Sequence, residues 1–182
     1  MTDAMDFNLS RLLDVQQDEL LSAWMSEVLS KWKRHYPQAA DEDHLRLQSR
    51  QLLEEIRKLF GGSLSDSWEP APDSRITTLL HSIFIHRAKQ GLKPDDSVLY
   101  LVVLKRILLR ALLQKHTADN SAALDALLLV LENLFDRLNL LLYETYVETR
   151  ERTIAQQSLA LLELSTPVVR LWDRILMVPL IG

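Results

Sequence analysis

The chain has 182 residues, of which 47% are hydrophobic and 25% are charged, the balance of one globular domain with an extension. The formal net charge of -4 gives no reason to expect a nucleic-acid partner, and the absence of cysteine excludes disulfides and thiolate metal sites. The N-terminus is acidic, and no uncharged apolar run reaches the roughly 20 residues that cross a bilayer. We therefore expect a cytoplasmic protein without membrane contact.

The low content of glycine and proline favours long helices, and residues 1–9 are expected to be a flexible lead before the first of them. Each of the first three predicted helices lies between a capping residue and a breaking residue. These pairs are, in chain order, Asp14 (with Gln17) and Pro37, Asp41 and Gly61-Gly62, and Asp73 and Gly91.

A fourth helix is predicted to begin at Pro94, because proline is well suited to the first turn of a helix. The segment Val98–Leu104 is apolar on every side, which predicts a helix at the centre of the bundle. A fifth helix is predicted from Ala122 to about Leu164, where neither glycine nor proline occurs. At 1.5 Å per residue it is on the order of 60 Å long, more than the width of a small domain.

The second half of the fifth helix carries a heptad seam, whose members alternate at spacings of three and four. They are Tyr143, Val147, Arg150, Ile154, Gln157, Leu161 and Leu164. We predict that this seam pairs with the same helix of a second chain, so that the protein is a homodimer. Arg150 and Gln157 are expected to weaken the pairing and to fix its register. The alternative is a surface helix folded back on its own domain.

The acidic residues of the chain do not form a catalytic pattern. Pairs such as Glu54-Glu55 and Asp95-Asp96 lie at helix starts or on polar faces, where they act as caps and solvated charges. The sequence also lacks a glycine-rich phosphate loop and a nucleophile elbow. We therefore expect no catalytic residue and no enzyme activity.

Two of the five histidines, His81 and His86, lie on the predicted third helix. At 100° per residue, His86 lies at the edge of the apolar stripe near Leu79 and Ile83, whereas His81 lies away from it. An imidazole in such a place is usually a boundary histidine with a satisfied hydrogen bond. The alternative is the proximal ligand of haem b, with His86 as first candidate and His81 as second. The only expected metal is therefore haem iron.

The tail of the chain resembles the start of a STAS domain in stressosome proteins of the RsbR type, in which a linker helix leads into ELS-x-P and then PL-x-G. The matching residues are Glu163, Leu164, Ser165, Pro167, Pro179, Leu180 and Gly182. The front half is similar to the N-terminal domain of the same co-antagonists. It matches through Arg87–Pro94, which resembles their R-A-x-Q-G-x-x-P corner, and through Leu20–Trp24.

The resemblance implies an all-α, globin-like sensory domain that dimerises and transmits a signal down its long helix to a STAS domain. Some members of the family are thought to bind haem and to sense oxygen, and many have no cofactor. The implied partners are STAS-domain stressosome proteins and a serine/threonine kinase, whose phosphorylation sites are expected beyond Gly182. The alternative is a cofactor-free interaction or spacer domain of the same assembly.

The expected organisation has four segments. They are a lead (1–9), a globin-like sensory domain (10–142), a coiled-coil linker helix (143–165) and the start of a truncated STAS domain (166–182). An apolar strand is expected from Ile175. Because the rest of its sheet would be absent, we expect this strand to be frayed or held by a neighbouring chain.

Overall fold

The computed structural model describes residues 9–33, 42–62, 64–65, 67–89, 93–114, 121–164 and 169–177. Its elements are α1 (Leu9–Trp32), α2 (Glu42–Gly61), α3 (Arg75–Lys89), α4 (Pro94–Leu113), α5 (Ser121–Leu164), β1 (Val169–Trp172) and β2 (Ile175–Met177). The chain divides into two compact units, residues 1–145 and 146–182. The first unit is an all-α, globin-like bundle, which confirms the helical part of the predicted fold class.

The core of the first unit lies between its helices. Helix α1 packs against α2 and α4, and α3 packs against the same two helices. All five helices contribute fully buried side chains, for example Trp24, Leu52, Ile83, Leu104 and Phe135. Burial of one such side chain contributes about 1.5–3 kcal/mol, so the apolar stripes determine how the helices pack.

Helix α1 begins at Leu9, earlier than the sequence indicated. The predicted start at a capping box on Asp14 was wrong, because Leu9 and Leu13 are fully buried and already belong to the core. The helix has a kink close to the expected start, where Gln16 has the non-helical values φ -119° and ψ 16°. Residues 1–8 of the expected lead lie outside the described residues.

Helix α2 ends at Gly61, as predicted. The N-cap of α3 is Ser74 and not the predicted Asp73. The backbone N–H of Thr77 donates to Ser74 Oγ at 3.4 Å, which satisfies one of the amides at the start of the helix. The predicted boundary residues that lie outside the described residues are Pro37, Asp41 and Gly91.

Helix α4 begins at Pro94, as predicted. The prediction that Val98–Leu104 is buried on every side was wrong. Tyr100 is fully buried, but Val98 and Val102 are 38% and 43% exposed. These two residues lie one helical turn apart on the solvent face of α4, so an apolar run need not be covered on all sides.

Helix α5 is one helix of 44 residues, about 66 Å long, which confirms the predicted uninterrupted helix. In the second unit, β1 and β2 form an antiparallel hairpin in which Val169 pairs with Met177 and Arg170 pairs with Leu176. The strand from Ile175 was predicted, but its expected fraying was wrong for Ile175–Met177. The hairpin satisfies the backbone of this segment within the chain itself.

Candidate functional site

The described members of the α5 seam lie on the surface of the chain. Ile154 and Leu161 are 51% and 67% exposed, and every side chain from 150 to 161 is exposed. The other described members are exposed or half-buried: Tyr143, Val147, Arg150 and Gln157. The side chain of Leu164 lies outside the described residues. A row of exposed apolar side chains along one helix is typical of a surface that pairs with another helix.

His86, the first candidate haem ligand, is exposed on α3, and its ring lies against the ring of His44 from α2. The two ring centroids are 4.8 Å apart. His81, the second candidate, is half-buried. The inner side of α3 is filled by the buried side chains of Ile83 and Arg87. The described contacts of His86 outline no haem pocket, so ligation by either histidine stays a prediction and no mechanistic step is derived from it.

Arg87 is a charged residue in the core of the bundle, where only 2% of it is exposed. Its Cζ lies 3.7 Å from the centroid of the Tyr100 ring and 4.9 Å from that of Trp32. Aromatic faces attract a cation at these distances. No acceptor among the described residues reaches Nε, Nη1 or Nη2 of Arg87 at hydrogen-bond geometry, and the buried indole N–H of Trp32 has none either.

Tyr100 positions these groups. Its hydroxyl lies 2.7 Å from Ser49 Oγ, and its carbonyl accepts the indole N–H of Trp24 at 2.8 Å. The Trp24 and Tyr100 rings are 4.3 Å apart between centroids. Trp32 of α1 and Tyr100 of α4 thus lie directly against an arginine of α3, while Ser49 of α2 and Trp24 of α1 contact Tyr100. We call Arg87, Trp32, Tyr100 and Trp24 the Arg87 cluster.

Burial governs the electrostatics of the Arg87 cluster. It lowers the pKa of the Arg87 guanidinium, although the adjacent Tyr100 opposes this effect. It also raises the pKa of Tyr100, against the charge of Arg87 and the hydrogen bond with Ser49. Because a buried charge without a paired acceptor is costly, this arginine is not explained by packing alone.

The sequence contained a signal for Arg87 that was missed. Ile76, Leu80, Ile83 and Arg87 follow one another at spacings of four, three and four, and all four are buried. The R-A-x-Q-G-x-x-P resemblance had placed Arg87 in a helix corner. An arginine in phase with an apolar stripe predicts a buried cation at the helix interface.

A surface cleft of about 260 Å³ lies between α2 and α3, and neither candidate histidine lines it. It is lined by Gln51, Arg75, Thr78, Leu79 and Ser82. Arg75 in its wall pairs with Glu55 of α2, with 3.0 Å between Nε and Oε1. In the part of the chain that the structure describes, no three histidine or acidic side chains come together to hold a metal ion.

An all-α bundle whose last helix presents an exposed seam has the form of a regulatory or interaction domain. The sequence pattern of one family matches residues 18–161, and its description is RsbT co-antagonist protein rsbRD N-terminal domain. Because the match covers well over half of the chain, the chain belongs to this family of stressosome co-antagonists. The resemblance of the front half, which Leu20–Trp24 and Arg87–Pro94 carry, is confirmed, whereas the tail from Glu163 lies outside the match and its resemblance to a STAS domain stays a prediction.

No curated protein and no solved structure gives a significant match to the chain. The family assignment therefore rests on residues 18–161. Within the described helices, none combines the length and the apolar content that a membrane crossing requires.

Proposed function

We propose that this chain is the N-terminal sensory domain of a stressosome scaffold protein, which relays a signal along a dimeric linker helix to a STAS domain that controls a partner kinase. The observation that carries the proposal is the exposed seam on the continuous helix α5. The family supports the regulatory part, since its description names a co-antagonist of RsbT. We place the protein in the cytoplasm, with STAS-domain proteins and a serine/threonine kinase as partners.

The seam favours a second copy of α5 as its partner. Burying its exposed apolar side chains, such as Ile154 and Leu161, contributes about 25 cal/mol for each Å² removed from water. A two-fold axis brings the same residues of two chains face to face. Arg150 and Gln157 disfavour other registers, because a shifted pairing would bury their polar groups against apolar side chains.

The continuity of α5 suits it to transmit a signal. Its first half contributes Leu131, Phe135 and Leu138 to the core of the bundle, and its second half carries the seam. The helix contains neither glycine nor proline at which it could bend. A change in core packing that rotates α5 therefore changes how two seams meet, provided that the input binds the two states with different affinity.

The bundle has two candidate inputs: haem bound through His86, or a cofactor-free interaction with a partner or a small molecule. The packing favours the cofactor-free input, because the ring of His44 lies against His86 and Arg87 fills the interior beside α3. Haem ligation by His86, or by His81, remains the alternative proposal.

The pairing is tested by the mass of the chain in solution. The double substitution Ile154→Asp and Leu161→Asp places two carboxylates in the seam, and we expect it to convert a dimer into a monomer in multi-angle light scattering. Paired helices cannot bury these charges without partners. The matched control is Leu159→Asp, which we expect to remain dimeric, because Leu159 is 62% exposed on α5 but lies outside the seam.

Far-UV circular dichroism of the three proteins distinguishes loss of pairing from unfolding, since the helix content should be the same in all of them. A wild-type chain that is monomeric would contradict the proposed pairing. So would a double variant that keeps the dimer mass, because the contact would then lie elsewhere.

A further inference from the structure

We propose that the Arg87 cluster is a binding site for a small monovalent carboxylate. The argument begins with the hydrogen-bond donors. Three guanidinium nitrogens of Arg87 and the indole nitrogen of Trp32 are buried, and none has an acceptor among the described residues. The great majority of buried donors in folded proteins are satisfied, so a group of neighbouring unsatisfied donors indicates an acceptor that binds there.

The charge indicates that this acceptor is an anion. Six other arginines pair with an aspartate or glutamate: Arg50, Arg57, Arg75, Arg106, Arg137 and Arg152. Arg87 has no such partner within the described residues and contacts two aromatic rings instead. A guanidinium stays protonated in proteins, so a bound anion is the direct way to compensate the buried charge.

The geometry selects a carboxylate. The rings of Tyr100 and Trp32 lie over the guanidinium, with their centroids 3.7 Å and 4.9 Å from Cζ. The N–H groups lie in the plane of the guanidinium, so an acceptor approaches its edge. A carboxylate matches this edge with two parallel hydrogen bonds. One negative charge balances one buried cation, whereas a phosphate dianion would leave an uncompensated charge in the core.

The proposed site lies where several helices of the bundle pack together. Trp32 belongs to α1, Arg87 to α3 and Tyr100 to α4, and the Tyr100 hydroxyl lies 2.7 Å from Ser49 of α2. A bound carboxylate would therefore add hydrogen bonds where four helices meet. The binding itself stands on this geometry, and only its use as a signal rests on the proposed sensory function.

The experiment is a titration of the whole chain with sodium acetate, exchanged at constant sodium concentration against the bulkier HEPES anion. Because Trp24 and Trp32 belong to the cluster, we expect a saturable change in tryptophan emission with a Kd in about the millimolar range. The same titration should raise Tm, since a ligand that binds only the folded state stabilises it.

Three variants test whether the response to acetate depends on Arg87. Arg87→Met removes the charge and the donors while keeping a long side chain, and we expect it to fold and to lose the acetate response. Arg87→Lys keeps the charge without the planar fork, so acetate should bind about tenfold more weakly or worse. Arg110→Met is the matched control, because it removes an exposed arginine of α4 and should leave the response unchanged.

A wild-type chain that does not respond to acetate overturns the site, as does an equal response in Arg87→Met. If Arg87→Met fails to fold, an undiminished response in Arg87→Lys or in Trp32→Phe overturns it instead. Stronger binding of inorganic phosphate than of acetate contradicts the carboxylate class. Light scattering of the same samples distinguishes this inference from the proposed function. A monomeric chain that binds acetate would contradict only the proposed dimer, and a dimeric chain that does not bind acetate would contradict only the proposed site.

Discussion

At the scale of single residues, several buried polar atoms at the centre of the bundle satisfy one another. The hydroxyl of Ser49 lies 2.7 Å from the Tyr100 hydroxyl and 3.4 Å from Met25 Sδ, and the indole N–H of Trp24 has an acceptor in the Tyr100 carbonyl. Arg87 and Trp32, which lie in contact with each other, contribute four of the six buried donors and acceptors without a partner in the described part of the chain. This concentration of unsatisfied donors is the reason for proposing a binding site at the Arg87 cluster.

The substitution Tyr100→Phe removes the hydroxyl and keeps the ring beside Arg87. At pH 7 we expect the free energy of unfolding to fall by about 1 kcal/mol, because the buried Ser49 loses its partner. Burial raises the pKa of Tyr100 in the folded state. Its contribution is therefore complete below the unfolded pKa, about 10, and is lost as the pH rises through the folded pKa. The variant should lack this alkaline loss, which urea unfolding at several pH values measures.

The control for Tyr100→Phe is Tyr146→Phe, at a tyrosine that is 37% exposed on α5 and lies outside the seam. We expect its free energy of unfolding to stay within about 0.5 kcal/mol of the wild type across the same pH range. Equal effects of the two substitutions would show that the buried hydroxyl has no special role.

At the scale of helices, one ion pair joins α1 to α4. Arg106 of α4 donates to the carboxylate of Glu27 of α1, and this hydrogen bond is the main reason why the pKa of Glu27 is lowered. Lys31, one turn further along α1, lies 3.5 Å from the same carboxylate. Both partners are partly exposed, so solvent screens the pair and its contribution is modest.

The substitution Arg106→Gln should lower the free energy of unfolding at pH 7 by about 0.2–1 kcal/mol. The lowered pKa of Glu27 sets the sign of the pH dependence. The stabilisation is present above the unfolded pKa of the carboxyl and is lost as the pH falls through the folded pKa. The difference between variant and wild type should therefore disappear in acid. Arg110→Gln, on the same helix, is the control, and a deficit that persists in acid would exclude the ion pair as its cause.

At the scale of the whole molecule, the role of the chain depends on what the bundle senses. We expect the purified protein, mixed with haem, to retain no Soret band after gel filtration, because His44 lies against His86 and the buried side chains of Ile83 and Arg87 occupy the inner side of α3. A retained band that His86→Ala abolishes would establish haem as the input. A band that only His81→Ala abolishes would move the ligand to that residue.

Much of the fold could be predicted because its signals are local. Pro94 starts α4, Gly61 ends α2, and the absence of breakers after Ala122 produces a helix that continues to Leu164. Proline and glycine act through backbone geometry within a few positions of themselves, so their effect depends little on the rest of the fold. The first residue of α1 could not be predicted from local signals, because the burial of Leu9 depends on helices far away in the sequence.

The candidate site was predicted less completely. The seam of α5 follows from spacing alone, and the structure leaves Ile154 and Leu161 exposed as a pairing surface requires. His81 and His86 were predicted as candidate ligands because imidazole commonly binds haem iron. Arg87 was placed only in a corner motif. Charge alone predicts exposure, and only the packing of Trp32 and Tyr100 against Arg87 shows that this charge is buried.

The sequence by itself determined the helical class, the family and the long helix with its seam, because periodicity and breaking residues act over one or two turns. The tertiary structure alone decided that Val98 and Val102 face solvent, that Ile175–Met177 pairs with Val169–Trp172, and that Arg87 is buried. Each of these depends on which segment covers a given face. That choice is made by the packing of distant parts of the chain, where the free energy of burial belongs to both partners.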